Sequence, residues 1–130
     1  MAKAASELVV FDLDGTLLNA DSEISSSTQE TLAALRARGI PYTVATGRAR
    51  HGAADLLEGL GFDLPQAFKN GVLLWHPLEA LYSHHHHLRL EEIRSVLAAS
   101  RAEGLSPFLA TLEPGNVHRI YHAPELNETE

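Results

Sequence analysis

No cysteine occurs in the 130 residues, which removes disulfides, thiolate nucleophiles and cysteine-zinc sites together and makes the reducing cytosol the natural compartment. Positive charge is scarce as well. Ten basic side chains stand against 17 acidic ones, and no basic patch reverses the formal charge of −7. A chain of this kind repels a polyphosphate backbone, so no nucleic acid is expected as a partner. Long apolar runs are also missing: Met1 to Val10 carries one lysine and only a brief hydrophobic stretch before Asp12, too little for a signal peptide or a membrane span. There is no internal repeat and no low-complexity linker apart from one run of histidines. What remains, with 45% hydrophobic residues, is the composition of an ordinary soluble globular domain able to bury a core.

The order of elements predicts an α/β fold. Leu8-Val9-Val10-Phe11 is a continuous apolar run rich in β-formers, suited to a strand buried on both faces of a parallel sheet, and it delivers Asp12 to the strand's carboxyl end. Ser27 and Glu30 fit a capping box, Leu32 and Leu35 supply an apolar face and Gly39 a stop, so a helix is expected from about Thr28 to Arg38. Ile40 to Ala45 reads as a second strand, and Ala53, Leu56, Leu57 and Leu60 recur with helical spacing after it. Such alternation implies a parallel sheet with helices on its faces. Gln66 to Phe68 is a short third strand, followed by the Asn70-Gly71 turn, an apolar Val72 to Trp75 and a further strand at Ala80 to Ser83. Leu90, Ile93, Val96 and Leu97 form an amphipathic helix ending near Gly104. Leu105 to Thr111 and Val117 to His122 are then two strands joined by the Pro114-Gly115-Asn116 turn.

The chemistry concentrates in Phe11-Asp12-Leu13-Asp14-Gly15-Thr16-Leu17. Strand side chains alternate, so Asp12 and Asp14 can approach one pocket, while Gly15 lets the backbone turn sharply. One carboxylate can attack phosphorus while the other handles the leaving-group proton. Carboxylates and phosphate oxygens share a pocket only when something neutralises them, and a hard cation such as Mg2+ does so. Thirty-four residues after Asp12, Val44-Ala45-Thr46-Gly47-Arg48 ends the second strand just before a helix, whose first N–H groups and dipole favour an anion. Taken singly, both segments fit ordinary turns.

Asp12-Leu13-Asp14-Gly15-Thr16 resembles the first signature of the haloacid-dehalogenase-like phosphatases, and Thr46-Gly47-Arg48 resembles their second. The resemblance implies that Asp12 is the nucleophile, Asp14 the general acid/base, and that Mg2+ is held partly by the Asp12 carboxylate and the Asp14 carbonyl. It implies phosphate binding by Thr46 and Gly47. Asp14 speaks against dehalogenase chemistry, since the resembled dehalogenases lack a carboxylate there. Arg48 and the later Asn70-Gly71 are similar to the Cof-type branch with its mixed α/β cap, which implies a Rossmannoid parallel-sheet core, first half, over residues 1–86 and part of a cap over 87–130. The expected substrate is a small phosphorylated metabolite.

Around these residues several readings stay open. Arg48 either contacts an anionic group of the substrate or braces the core, and Asn70 is a turn former or a substrate ligand. Lys69 is expected to be solvated, because the family's catalytic lysine follows the cap. His84-His85-His86-His87 has imidazoles that suit nickel, copper or zinc, but the expectation is an exposed hinge segment between core and cap. His118 and His122 alternate with Ile120 and mark an outward face or a substrate side. The lysine and the acidic pair that complete the family's site are not found, and Glu125, Glu128 and Glu130 read as a polar terminus. The leading expectation is therefore a Mg2+-dependent phosphomonoester hydrolase present as an amino-terminal portion, inactive by itself and prone to oligomerise through an exposed sheet edge. The alternatives are a catalytically silent phosphate-binding module and a sugar phosphomutase.

Overall fold

The computed structural model describes residues 7–122, and the chain divides between His86 and His87 into two compact units. Glu125, Glu128 and Glu130 lie outside the described residues.

The first unit opens with β1 (Val9–Phe11), followed by α1 (Ser26–Ala37) and β2 (Tyr42–Val44). β1 and β2 run parallel, with Val9 beside Tyr42 and Phe11 beside Val44. Beyond β2, Ala45 pairs in parallel with Ala67 of β3 (Gln66–Phe68), which turns antiparallel into β4 (Leu73–His76) and then β5 (Leu81–His85). Every residue of β2 is buried, as a central strand demands. β1 is not: Leu8 and Val10 are each 52% exposed, because β1 pairs only with β2 among the described residues. Its continuous apolar run, although suited to burial on both faces, is thus the exposed sheet edge expected of these 130 residues.

Three other boundaries move for identifiable reasons. The cap of α1 is Ser25, whose hydroxyl accepts the Thr28 N–H at 3.2 Å, so the helix starts before the expected Ser27–Glu30 box. The helix expected over Ala53 to Leu60 shrinks to a tight turn at 50–52 and α2 (Ala54–Leu57), because Glu58 is extended and Gly59 adopts φ +73°. Finally, β5 runs into the histidines: His84 and His85 pair with Leu74 and Leu73, and the His86 N–H donates to Val72 O at 2.9 Å. Of the hinge expected over His84 to His87, His84 and His85 are thus in an edge strand, while His86 and His87 flank the division between the units.

The first unit has its own core. Leu13, Leu32, Val44 and Phe68 are fully buried, and Tyr42 packs edge-on against Phe62 at 5.1 Å while its hydroxyl donates to Leu60 O at 2.7 Å. Gly61 is required beside it, since a Cβ there would lie 2.7 Å from the Tyr42 hydroxyl.

The second unit comprises α3 (Leu90–Ala102), β6 (Leu109–Glu113) and β7 (Val117–Tyr121). The Glu92 carboxylate accepts the Arg89 N–H at 2.7 Å and fixes the start of α3. β6 begins later than Leu105, two residues after Pro107, which has no N–H for a ladder. Pro114-Gly115-Asn116 joins the strands with φ of +78° at Gly115 and +62° at Asn116. No described residue of this unit is buried.

Candidate functional site

Asp12 follows directly on β1, and its side chain accepts the Leu13 N–H at 2.8 Å. The backbone then leaves the strand: Asp14 stays extended, Gly15 takes φ +73°, and the Leu17 and Leu18 N–H groups return to the Asp12 and Leu13 carbonyls. Buried Leu13 and Leu17 anchor this loop, leaving Asp12, Asp14 and Thr16 exposed. Strand alternation therefore does not govern Asp14. A loop presents it.

Thr46 lies beyond β2, at the same end of the parallel pair, because the Ala45 N–H donates to Phe11 O at 2.8 Å and carries the β1–β2 register past Val44. Thr46 is 4% exposed, and its Oγ1 accepts the Arg48 N–H at 3.1 Å, closing a turn around Gly47. Among the described residues the Gly47 N–H has no hydrogen-bond partner. A free N–H in a turn is a ready anion donor.

Arg48 supplies the main electrostatic contact. Its guanidinium grips Asp14 in a fork, Nη2 to Oδ1 at 2.6 Å and Nε to Oδ2 at 2.9 Å, while Nη1 donates to Gly52 O at 3.2 Å. These hydrogen bonds hold the Asp14 carboxyl below its ordinary pKa, with desolvation opposing and the charge of Arg48 adding, and they raise Arg48 in turn. In this structure Arg48 thus braces a carboxylate. The sequence joins the two residues by no local pattern, since 34 positions separate them.

A further contact was also invisible in the sequence. Lys69 and Asn70 follow β3 with φ of +51° and +56°, and their N–H groups donate to Arg48 O and Thr46 O, each at 3.0 Å. Asn70 Oδ1 lies 3.1 Å from where a Cβ on Gly47 would sit. Lys69 is half-buried rather than fully solvated.

The oxygen donors suited to a hard cation are the Asp12 and Asp14 side chains and the Asp14 carbonyl. The described residues hold no cluster of three His, Cys, Asp or Glu side chains fit for a metal ion. The histidines add none: His76 Nε2 meets Ser83 Oγ at 2.7 Å, and His122 packs edge-on to Phe108 at 6.0 Å. Half-buried His118 lies across from Leu112, while Ile120 is 55% exposed. No helix among the described residues is long and apolar enough to cross a membrane.

Residues 9–128 match the sequence model of the haloacid dehalogenase-like hydrolases. An HMP-PP phosphatase of Shigella flexneri is 38% identical over 92 residues, covering 71% of this chain and 34% of its own length. Phosphatase YwpJ of Bacillus subtilis is 35% identical over 78 residues, 60% of this chain and 27% of that protein. A solved haloacid dehalogenase-like hydrolase from B. subtilis matches with TM-score 0.72 and 26% identity over 94% of this chain and 40% of its own. The chain thus spans between 27% and 34% of the length of these curated relatives.

Proposed function

The chain belongs to the haloacid dehalogenase-like hydrolase family, and from that premise we propose that it carries the nucleophile and phosphate loop of a phosphomonoester hydrolase acting on a small sugar or metabolite phosphate. The observation that carries this reading is the placement of Asp12 and Thr46 at one end of adjacent parallel strands, with the unpaired Gly47 N–H beside them. An Asp12 oxygen attacks phosphorus, the ester P–O bond breaks, and the leaving oxygen takes a proton from Asp14. Water then attacks the aspartyl-phosphate, Asp14 takes its proton, and the P–O bond to Asp12 breaks to release orthophosphate. Thr46 and Gly47 hold the phosphoryl oxygens throughout. Bound at Asp12 and the Asp14 carbonyl, Mg2+ would supply the charge neutralisation that lets carboxylate approach phosphate. The Arg48 fork favours ionised Asp14, so it suits the second half-reaction and must loosen in the first.

Residues 1–86 are read as the first half of a catalytic core and 87–130 as part of a cap, with a cytoplasmic setting and self-association through the β1 edge. In a protein that joins this chain to the remaining length of its relatives, Asp12→Asn abolishes turnover, since an amide is a poor nucleophile and loses the metal-binding charge. Phosphate release at the unmodified rate by that variant overturns the assignment.

A second reading applies to the 130 residues alone: a module that binds phosphate without turning it over. That no three His, Cys, Asp or Glu side chains cluster for a metal ion among the described residues favours it.

A further inference from the structure

From the seating of one side chain we infer that Asn70 is a positioning residue for the phosphate loop, an inference that rests on the reading of Thr46 and Gly47 as phosphate-binding. Three consecutive residues, Lys69, Asn70 and Gly71, hold φ of +51°, +56° and +87°. A left-handed conformation is unfavourable for lysine and only tolerated by asparagine, so the surrounding structure must impose it. What it achieves is visible in the hydrogen bonds. Turned this way, successive N–H groups of the β3–β4 turn point back at the neighbouring loop, Lys69 to Arg48 O and Asn70 to Thr46 O. The two carbonyls flanking Gly47 are thereby fixed. Thr46 is held a third time through its own N–H to Ala67 O at 3.0 Å.

The Asn70 side chain completes the clamp. Its Oδ1, Cγ and Nδ2 would lie 3.1, 3.7 and 3.7 Å from a Cβ on residue 47, so the carboxamide lies against Gly47 and its Oδ1 would have to give way to any larger residue there. Gly47 lacks positive φ, so a side chain there would meet the Asn70 carboxamide rather than backbone strain. With its flanking carbonyls tied and one face covered, the Gly47 peptide cannot rotate, and its N–H keeps a fixed direction toward a bound anion. Asn70 acts through this peptide.

Orthophosphate with Mg2+, titrated into the full 130-residue chain and followed by the Gly47 and Arg48 amide resonances, tests the inference. Asn70→Gly keeps the left-handed backbone and both N–H donors while removing the cover. It is expected to weaken phosphate binding about tenfold or more, as misplacement of a binding group does, with unchanged Trp75 fluorescence. Gly47→Ala alone is expected to weaken binding and to shift the Asn70 side-chain amide signals; placed on Asn70→Gly it is expected to cost little further. Equal affinity in Asn70→Gly, or strictly additive effects, overturns the positioning role and leaves the phosphate site standing. An unmodified chain whose Gly47 and Arg48 amides ignore phosphate overturns both. Should Asn70→Gly not fold, the Gly47→Ala chain decides, and unmoved Asn70 side-chain signals count against the contact.

Discussion

The two units share a mixture of helix and strand but differ in what they bury. All the buried hydrophobic side chains among the described residues, from Leu13 to Trp75, belong to the first unit; the second leaves Leu90, Val96, Leu105, Phe108, Val117, Ile120 and Tyr121 between 44% and 60% exposed. The hydrophobic effect scales with area removed from water, so the first unit has a driving force of its own and the second relies on hairpin pairing and one helix. The site follows this division. Asp12, Asp14, Thr46 and Arg48 all hang from elements anchored by Leu13, Val44 and Phe68. A packed frame under exposed side chains suits the phosphoryl-positioning role proposed for them.

The sharpest test of that contrast compares a core residue with an apolar surface residue. Phe68 is fully buried and joins β3 to the rest of the core, so Phe68→Ala should cost about 3–5 kcal/mol. Ile120→Ala in β7, at a side chain more than half exposed, should change stability by under about 1 kcal/mol. Denaturant unfolding followed by the single tryptophan, Trp75, reads the first unit directly, and far-ultraviolet circular dichroism reads both. A large cost for Ile120→Ala would break the comparison, since it would reveal a core in the second unit that exposure does not show.

Within the first unit β1 is the weak side. Leu8 and Val10 stand on an edge strand that pairs only with β2 among the described residues, and apolar edges template pairing with another chain. Sedimentation of the 130-residue chain is expected to show species larger than a monomer, shifted toward monomer by Val10→Lys. A monodisperse monomer before the substitution would remove β1 as an association surface.

A finer comparison sets one ion pair from each unit side by side. Asp14 with Arg48 and Glu113 with Arg119 are both exposed carboxylate–guanidinium pairs, and in both the hydrogen bond lowers the carboxyl pKa. A lowered folded-state pKa gives stability that is present above the unfolded value and lost as pH falls through the folded one, so both pairs weaken only in acid. Arg48→Gln and Arg119→Gln should each return their carboxylate upward toward its ordinary range, read by carboxyl carbon chemical shifts against pH. Either change should move stability only slightly, because solvent-screened pairs contribute little. Only the first should alter phosphate affinity. An unmoved Asp14 titration in Arg48→Gln would mean that the fork does not persist in solution.

How much of this was legible in the sequence varies with the range of the cause. Asp12, Thr46 and the three parallel-paired strands were readable because a strand, a turn residue and an apolar run are local signals. The length of α2 was not, since Leu56 and Leu60 keep helical spacing while Gly59 and Gly61 take positive φ that spacing does not encode. Nor were the partners of Arg48 and Asn70. Those contacts join separate loops, and only the β1–β2–β3 register brings the loops together.

The smallest expected effect concerns the histidines. His84 and His85 belong to the edge strand β5, His86 adds one further backbone bond to Val72, and His87 opens the second unit, all four of them exposed. Imidazole binds nickel, copper or zinc well and Mg2+ poorly, whereas the Asp12 site offers oxygen alone. Serine at positions 84 to 87 keeps the backbone bonds of β5 and removes four exposed side chains. Replacement of His84 to His87 by serine should therefore leave both the unfolding midpoint and Mg2+-supported phosphate binding at Gly47 nearly unchanged. In a protein completed by the rest of the family's length, turnover lost to a chelator should return with Mg2+ whether or not the histidines are present. A large loss of phosphate binding or turnover in the serine variant would tie the β5 edge to the chemistry at the ends of β1 and β2. The histidine run would then have to be treated as part of the site.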